Sequence, residues 1–154
     1  HSLGTALGNT PLAPPLAAPR APSHNSLAIP APPAVVICPS NPFVSVDPIL
    51  LVPGVKELIA ERKVPMVAVS PIVSGLAIKG PAAKMMKELG ISSSAENVAE
   101  HYSAFIDGFV IDEADKESAK SIKIPTISTN TVMLTLSDSI SLAENCLGFL
   151  ERFL

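Results

Sequence analysis

A chain of 154 residues holds enough apolar material for one sizeable core and not two, so a single folding unit is the expectation. With 11 Lys and Arg against 14 Asp and Glu, the net charge is −3, and the basic surplus that a nucleic-acid partner requires is missing. No run of about 18 apolar residues escapes Pro or charge, and the start lacks a basic-then-apolar leader, so neither a membrane span nor a secretory signal is expected and a cytoplasmic location is the default.

Half of the 16 prolines fall in residues 1–33, where Arg20 is the one fully charged side chain. Such a stretch has little means of forming a helix or a ladder, and it reads as an extended, poorly ordered arm, a linker in preference to a targeting peptide. The chain opens on His1 and not on Met, which suggests an incomplete or processed product. From Ala34 onward short β-branched runs alternate with helical patterns, the signal of a parallel sheet covered by helices. The first strand is Ala34 to Cys38, and a short helix follows at Val55 to Arg62. The second strand, Pro65 to Ser70, is continuously apolar, as suits burial on both faces.

A second helix is expected from Pro81 to a stop at Gly90, since Pro suits the first helical position and Gly the position past the end. Ser93 with Glu96 predicts a capping box opening a third helix through Val98 and His101 to about Phe105. Gly108 to Ile111 is the third strand, Ala114 to Ser121 a short helix, and Pro125 to Ser128 a fourth, edge-like strand. The last helix, about Asp138 to Phe153, sets Ile140, Ala143, Leu147 and Leu150 at helical spacing as the face to bury. Cys38 and Cys146 stand far apart without a second Cys or His at metal spacing, and both read as small buried apolar side chains.

In open parallel sheets ligands bind beyond the carboxyl ends of the strands, which directs attention to three loops. The first, Pro39 to Ser45, offers Ser40, Asn41 and Ser45 to a polar ligand, with Asn41 held extended by Pro42; an ordinary turn is the competing reading. The second, Ser70 to Pro81, ends at a helix start where free amides, Lys79 and Gly80 would suit a phosphate, although Gly-Pro before a helix is also plain punctuation. The third, Asp112-Glu113-Ala114-Asp115, gathers carboxylates that could help hold Mg²⁺, but a structural cap on the following helix is the preferred role. His101 and Tyr102 receive no catalytic task. No nucleophile motif, metal-protease helix or phosphate-binding P-loop occurs.

Three ordered blocks carry a resemblance. Val36-Ile37-Cys38-Pro39-Ser40-Asn41-Pro42-Phe43-Val44-Ser45 with Pro48-Ile49-Leu50 and Pro53-Gly54 resembles the CofD family of deazaflavin coenzyme biosynthesis. Ser70-Pro71-Ile72-Val73 with Lys79 to Met86, and His101-Tyr102 with Asp107 to Asp112, are similar to that family's second and third signatures. The resemblance spans residue 34 to the C-terminus, leaving residues 1–33 unlike the family. It implies a Rossmann-like three-layer α/β sandwich with a parallel sheet, present here as its C-terminal part and truncated at its N-terminal half.

The resemblance also implies a transferase moving a phospholactyl or phosphoenolpyruvyl group from a guanosine-diphosphate-activated donor to the deazaflavin Fo, with release of GMP, in coenzyme F-420 biosynthesis. Mg²⁺ is the implied cofactor, and the implied partners are small-molecule substrates, with a homo-oligomer left open. Ser40, Asn41, Pro42, Phe43, Ser45 and Ser70 are the expected substrate-binding residues, with Lys79 and Gly80 steadying phosphate charge. Catalytic residues and metal ligands are not assigned, the latter being expected in the part of the family that this chain lacks, so the chain alone could be inactive.

Several positions depart from the family pattern. Asp47 stands where a small residue is usual, Ser74 and Leu76 replace Gly and Lys, and Asn130 replaces Asp. A regulatory nucleotide-sugar-binding protein of the related gluconeogenesis-factor type, and an inactive fragment, remain as alternatives; the Cys38-Pro39-Ser40-Asn41-Pro42 loop favours the transferase over the Gly-Pro-Gly-Ser loop usual in the former.

Overall fold

A computed structural model describes residues 33–77 and 80–154; the arm assigned to residues 1–33 (Pro33 apart) and the role given to Lys79 lie outside the described residues. Strand β1 is Val35–Ile37, and after it a π-helical turn, Pro42–Val46, runs directly into helix α1, Asp47–Leu50. Helix α2 (Val55–Ala60) leads to strand β2 (Met66–Val69), and a small hairpin of β3 (Ile72–Val73) and β4 (Leu76–Ala77) follows. Helices α3 (Ala82–Glu88) and α4 (Ala95–Tyr102) precede β5 (Gly108–Asp112). A 3₁₀ stretch, Glu113–Lys120, connects to β6 (Thr126–Thr129), and α5 (Leu136–Leu150) ends in the single 3₁₀ turn Glu151–Phe153.

The main sheet has the order β1-β2-β5-β6, every neighbour pair parallel, with Val36 beside Val67, Ala68 beside Phe109, and Val110 beside Ile127. Strand alternation sends successive side chains to opposite faces. Val35, Ile37, Met66, Ala68, Phe109 and Ile111 meet Val46, Met86, Val98 and Tyr102 of the helical segments on one face. Val67, Val69, Val110 and Ile127 meet Leu142, Cys146, Phe149 and Leu150 of α5 on the other. The result is a three-layer α/β sandwich. Strands β2 and β5 are buried along their whole length, which explains the uninterrupted apolar run of β2 and the Phe109-Val110-Ile111 centre of β5. Each fully buried Val or Phe there contributes about 1.5–3 kcal/mol of transfer free energy.

The amino end of the sheet is fastened by Asp107. Its carboxylate accepts from the Met66 amide and from the Arg62 guanidinium, both at 2.8 Å, while its amide donates to the Met66 carbonyl at 2.7 Å. The bond set joins the end of α2 to the starts of β2 and β5 and leaves the carboxyl ends of the strands free for a site.

Four expectations need correction. The first loop is largely helical: Asn41, extended before Pro42 (φ −65°, ψ 120°), accepts from the Phe43 amide at 2.9 Å and caps a turn that flows into α1. Helix α4 is capped by Ser94 instead of Ser93, because the Ser93 hydroxyl is occupied in donating to the Gly75 carbonyl at 2.7 Å. Helix α5 buries Leu142, Cys146, Phe149 and Leu150, so Ile140, Ala143 and Leu147, although helically spaced, face outward. Cys38 is exposed and Cys146 alone of the two is buried, its thiol pushed up to about 11 by burial and then by nearby Cys38.

Candidate functional site

Three polypeptide segments leave the carboxyl ends of β1, β2 and β6 and enclose one cleft, lined by Pro39, Ser40 and Asn41, by Ser70 and Pro71, and by Thr131 and Met133. Its volume is about 120 Å³, room for part of a ligand such as one sugar edge or one ring. The parallel register dictates this convergence: the strands end side by side, so the residues after them meet at one rim.

Of the residues expected from sequence, Ser40, Asn41 and Ser70 share this cleft. Ser70 is almost wholly buried, and its hydroxyl both donates to the Ile72 carbonyl (3.0 Å) and accepts from the Ile72 amide (3.1 Å), which shapes the exit from β2. The Asn41 oxygen is committed to its cap, while its amide group donates weakly to Met85 Sδ at 3.4 Å. That last contact draws the first loop against α3, the helix whose start follows Gly80. Pro42 and Phe43 line a different hollow, with Met86, Ile91, Val98 and His101. Ser45 is exposed on the π-helical turn and Gly80 is exposed just before α3 with φ +76°; neither borders the cleft.

Thr131 and Met133 are the cleft residues that the sequence reading missed. Their signal was the Thr129-Asn130-Thr131-Val132-Met133 stretch beyond β6, noted only for its departure at Asn130. Thr131 is buried because Asp112, at the end of the central strand, accepts from both its amide (2.9 Å) and its hydroxyl (3.0 Å). The other Asp112 oxygen accepts from the Ala114 amide at 3.0 Å and caps the 3₁₀ stretch. Burial pushes the Asp112 carboxyl up, but the Thr131 and Ala114 amides and the Thr131 hydroxyl outweigh it and hold the group below its ordinary value.

The remaining carboxylates after β5 are likewise structural where they are engaged. Asp115 accepts from the Ser74 amide at 2.9 and 3.1 Å and pins the β3–β4 turn. No group of three or more His, Cys, Asp and Glu side chains stands ready for a metal among the described residues, and both oxygens of Asp112 are already taken, so these residues do not fit a Mg²⁺ site. The cap preferred for the third loop is the arrangement found.

His101 is tied to Asp47, Nε2 to Oδ1 at 2.8 Å, and packs edge-on against Phe43 with ring centroids 5.4 Å apart. Asp47 thus has a local reason to be an acid: it joins α1 to α4. The pair borders a larger apolar hollow of about 450 Å³ between α1, α2 and the end of α4, walled by Leu50, Ile59 and Phe105. No strand-end loop contributes to that hollow. Tyr102, next in sequence, is buried in the core, and burial together with the Asp47 charge pushes its phenol up.

The sequence model of the 2-phospho-L-lactate transferase CofD family matches residues 13–139. The chain belongs to the CofD family. That match begins inside the Pro-rich stretch and runs through β1 to the first turn of α5. Among curated CofD relatives, the 2-phospho-L-lactate transferase of Methanocaldococcus jannaschii is 47% identical over 115 residues, covering 75% of this chain and 36% of that protein. The 2-phospho-L-lactate transferase of Methanosarcina barkeri is 40% identical over 120 residues, covering 76% and 38%. The phosphoenolpyruvate transferase of Streptomyces griseus is 40% identical over 105 residues, covering 68% and 33%. The chain therefore spans little more than a third of the length of the CofD relatives it matches. Among the described residues no helix is long and apolar enough to cross a membrane.

Proposed function

We propose that this chain forms part of a cytoplasmic transferase that moves a phospholactyl or phosphoenolpyruvyl group from a guanosine-diphosphate-activated donor to the deazaflavin Fo. The Fo side-chain hydroxyl attacks the phosphorus bearing the lactyl or enolpyruvyl group. A new P–O bond forms, the P–O bond to the GMP phosphate breaks with its electron pair leaving on GMP, and the hydroxyl proton is lost. Such a displacement calls for positioning and neutralisation of charge more than for a covalent enzyme intermediate.

The observation that carries the reading is the convergence of Ser40, Asn41 and Thr131 at the carboxyl rim of a parallel sheet, in a chain whose family includes transferases named for either group. In this proposal the cleft receives the neutral part of a substrate, while Lys79 and the Gly80 amide at the start of α3 steady its phosphates. Mg²⁺ belongs to the proposal through the family only; its ligands would come from outside the described residues.

Titration of the purified chain with GDP, Fo and Mg²⁺, followed by an assay for GMP release on adding the activated donor, tests the proposal. Saturable binding of GDP and Fo is expected, with Lys79→Ala weakening GDP more than Fo. Unchanged GDP affinity in that variant removes the phosphate role, and binding of neither ligand removes the function. Binding without turnover limits this chain to ligand recognition.

A further inference from the structure

We propose that Asp112 is a positioning residue that fixes the hydrogen-bond polarity of one wall of the cleft, making Thr131 an acceptor and so favouring a neutral O–H or N–H donor on the substrate at that wall. The inference rests on the cleft reading above and adds to it the chemistry of one subsite. Its basis is the ordering of donors and acceptors. A threonine hydroxyl has one proton and two lone pairs, and it turns its proton toward whatever acceptor stands closest. An ionised carboxylate accepts only.

Asp112 Oδ2 lies 3.0 Å from Thr131 Oγ1 and also receives the Thr131 amide at 2.9 Å, so the threonine is gripped at two points and its proton is directed inward. What remains for a ligand on Oγ1 is lone-pair density. Both residues are buried, at 6% exposure for Asp112 and 3% for Thr131, so water competes little for this arrangement. The Asp112 carboxyl sits below its ordinary value, which keeps it an acceptor at neutral pH.

Ser70, across the cleft, has its hydroxyl proton committed to the Ile72 carbonyl and one Asn41 N–H is turned to Met85, which leaves the second Asn41 N–H and the Ser40 hydroxyl, able to give or to accept, beside the acceptor at Thr131. No Lys or Arg lines the cleft among the described residues. A phosphate oxygen would meet an acceptor at Thr131 and no cation, whereas a hydroxyl or ring N–H would find a partner. Two sources carry that chemistry: the base and ribose of a guanosine nucleotide, and the hydroxylated side chain of a deazaflavin. The subsite is assigned to the shared donor group, and the experiment separates the sources.

The test measures affinities of the full chain for GDP, Fo and inorganic pyrophosphate, by calorimetry, in the parent and in Thr131→Val, Thr131→Ser and Asp112→Asn. Valine keeps the shape of threonine and removes the acceptor, so Thr131→Val should weaken one or both donor-bearing ligands by roughly three- to tenfold. Pyrophosphate has no nucleoside or polyol donor and should show no difference between parent and variant. Thr131→Ser, which retains the hydroxyl, should stay near the parent. Asp112→Asn can keep an oxygen on the Thr131 amide and hydroxyl only by setting its NH2 against the Ala114 amide, so it should lower folding stability while leaving GDP and Fo affinities within twofold of parent.

A loss confined to GDP assigns the donor to the nucleotide, and one confined to Fo assigns it to the deazaflavin. GDP and Fo affinities both within twofold of parent in Thr131→Val overturn the subsite and leave the cleft reading standing. A parent chain that binds none of the three overturns both together. An equal loss for all three ligands marks a structural collapse of the rim and overturns the polarity role as well.

Discussion

Ser74 holds its backbone at φ +50°, a left-handed conformation that costs an L-residue with a Cβ roughly 1–2 kcal/mol. Gly75 follows at φ +75°, so the two together make the tight turn between β3 and β4, with Asp115 accepting from the Ser74 amide. The sequence reading marked Ser74 as standing where the family usually carries Gly, and the backbone supplies the reason that Gly suits the position. Ser74→Gly relieves the Cβ but adds freedom to the unfolded chain, and the net expectation is a stabilisation of about 0.5–1 kcal/mol. Urea denaturation measures it; a loss of stability would mean that the serine side chain, and not its amide, holds the turn. Asp47 is legible only in retrospect, because its partner His101 lies 54 positions away and no local pattern predicts that pairing.

At the scale of elements, local signals were enough for strands and insufficient for the faces of helices. The apolar run of β2 announced burial on both sides, and the helix stop at Gly90 holds, with φ +72° just past α3. Helix α5 misled because it carries two apolar stripes, and periodicity alone does not tell which one meets the sheet. The deciding contact is Gly108, at the start of β5: a Cβ there would stand 2.6 Å from Phe149 Cε1 and 2.8 Å from Cζ. Phe149 therefore packs straight onto the strand backbone and turns its own stripe inward. Gly108→Ala should destabilise the fold by about 1–3 kcal/mol through overpacking. Adding Phe149→Leu should make the two effects markedly non-additive, since the second change removes the clashing ring. A Gly108→Ala variant within 0.5 kcal/mol of the parent, measured by urea denaturation, would show that the ring moves aside freely and does not set the helix face.

For the whole molecule, the consequence of that choice is apolar surface in water. Leu136, Ile140 and Leu147 lie along the outer side of α5 at 77%, 50% and 59% exposure, and Ile49, Leu51, Val52 and Leu58 are exposed around α1 and α2. A net charge of −3 lies at the low end of what keeps a small domain apart from its copies, so exposed apolar surface is opposed by only modest repulsion. Exposed apolar side chains gathered on one helix face favour association. The chain should therefore sediment with a concentration-dependent mass above that of a monomer. Replacing Leu136, Ile140 and Leu147 together by Gln should shift it toward the monomer. The inner stripe and the Thr135–Asp138 capping box are untouched by these changes, so each surface substitution should alter folding stability by no more than about 0.5 kcal/mol. Sedimentation velocity and urea denaturation of the same triple variant separate the two quantities. Association that persists while stability is unchanged would clear the outer stripe and point to the α1–α2 surface. Stability that falls by several kcal/mol would mean that these side chains contribute to the fold itself.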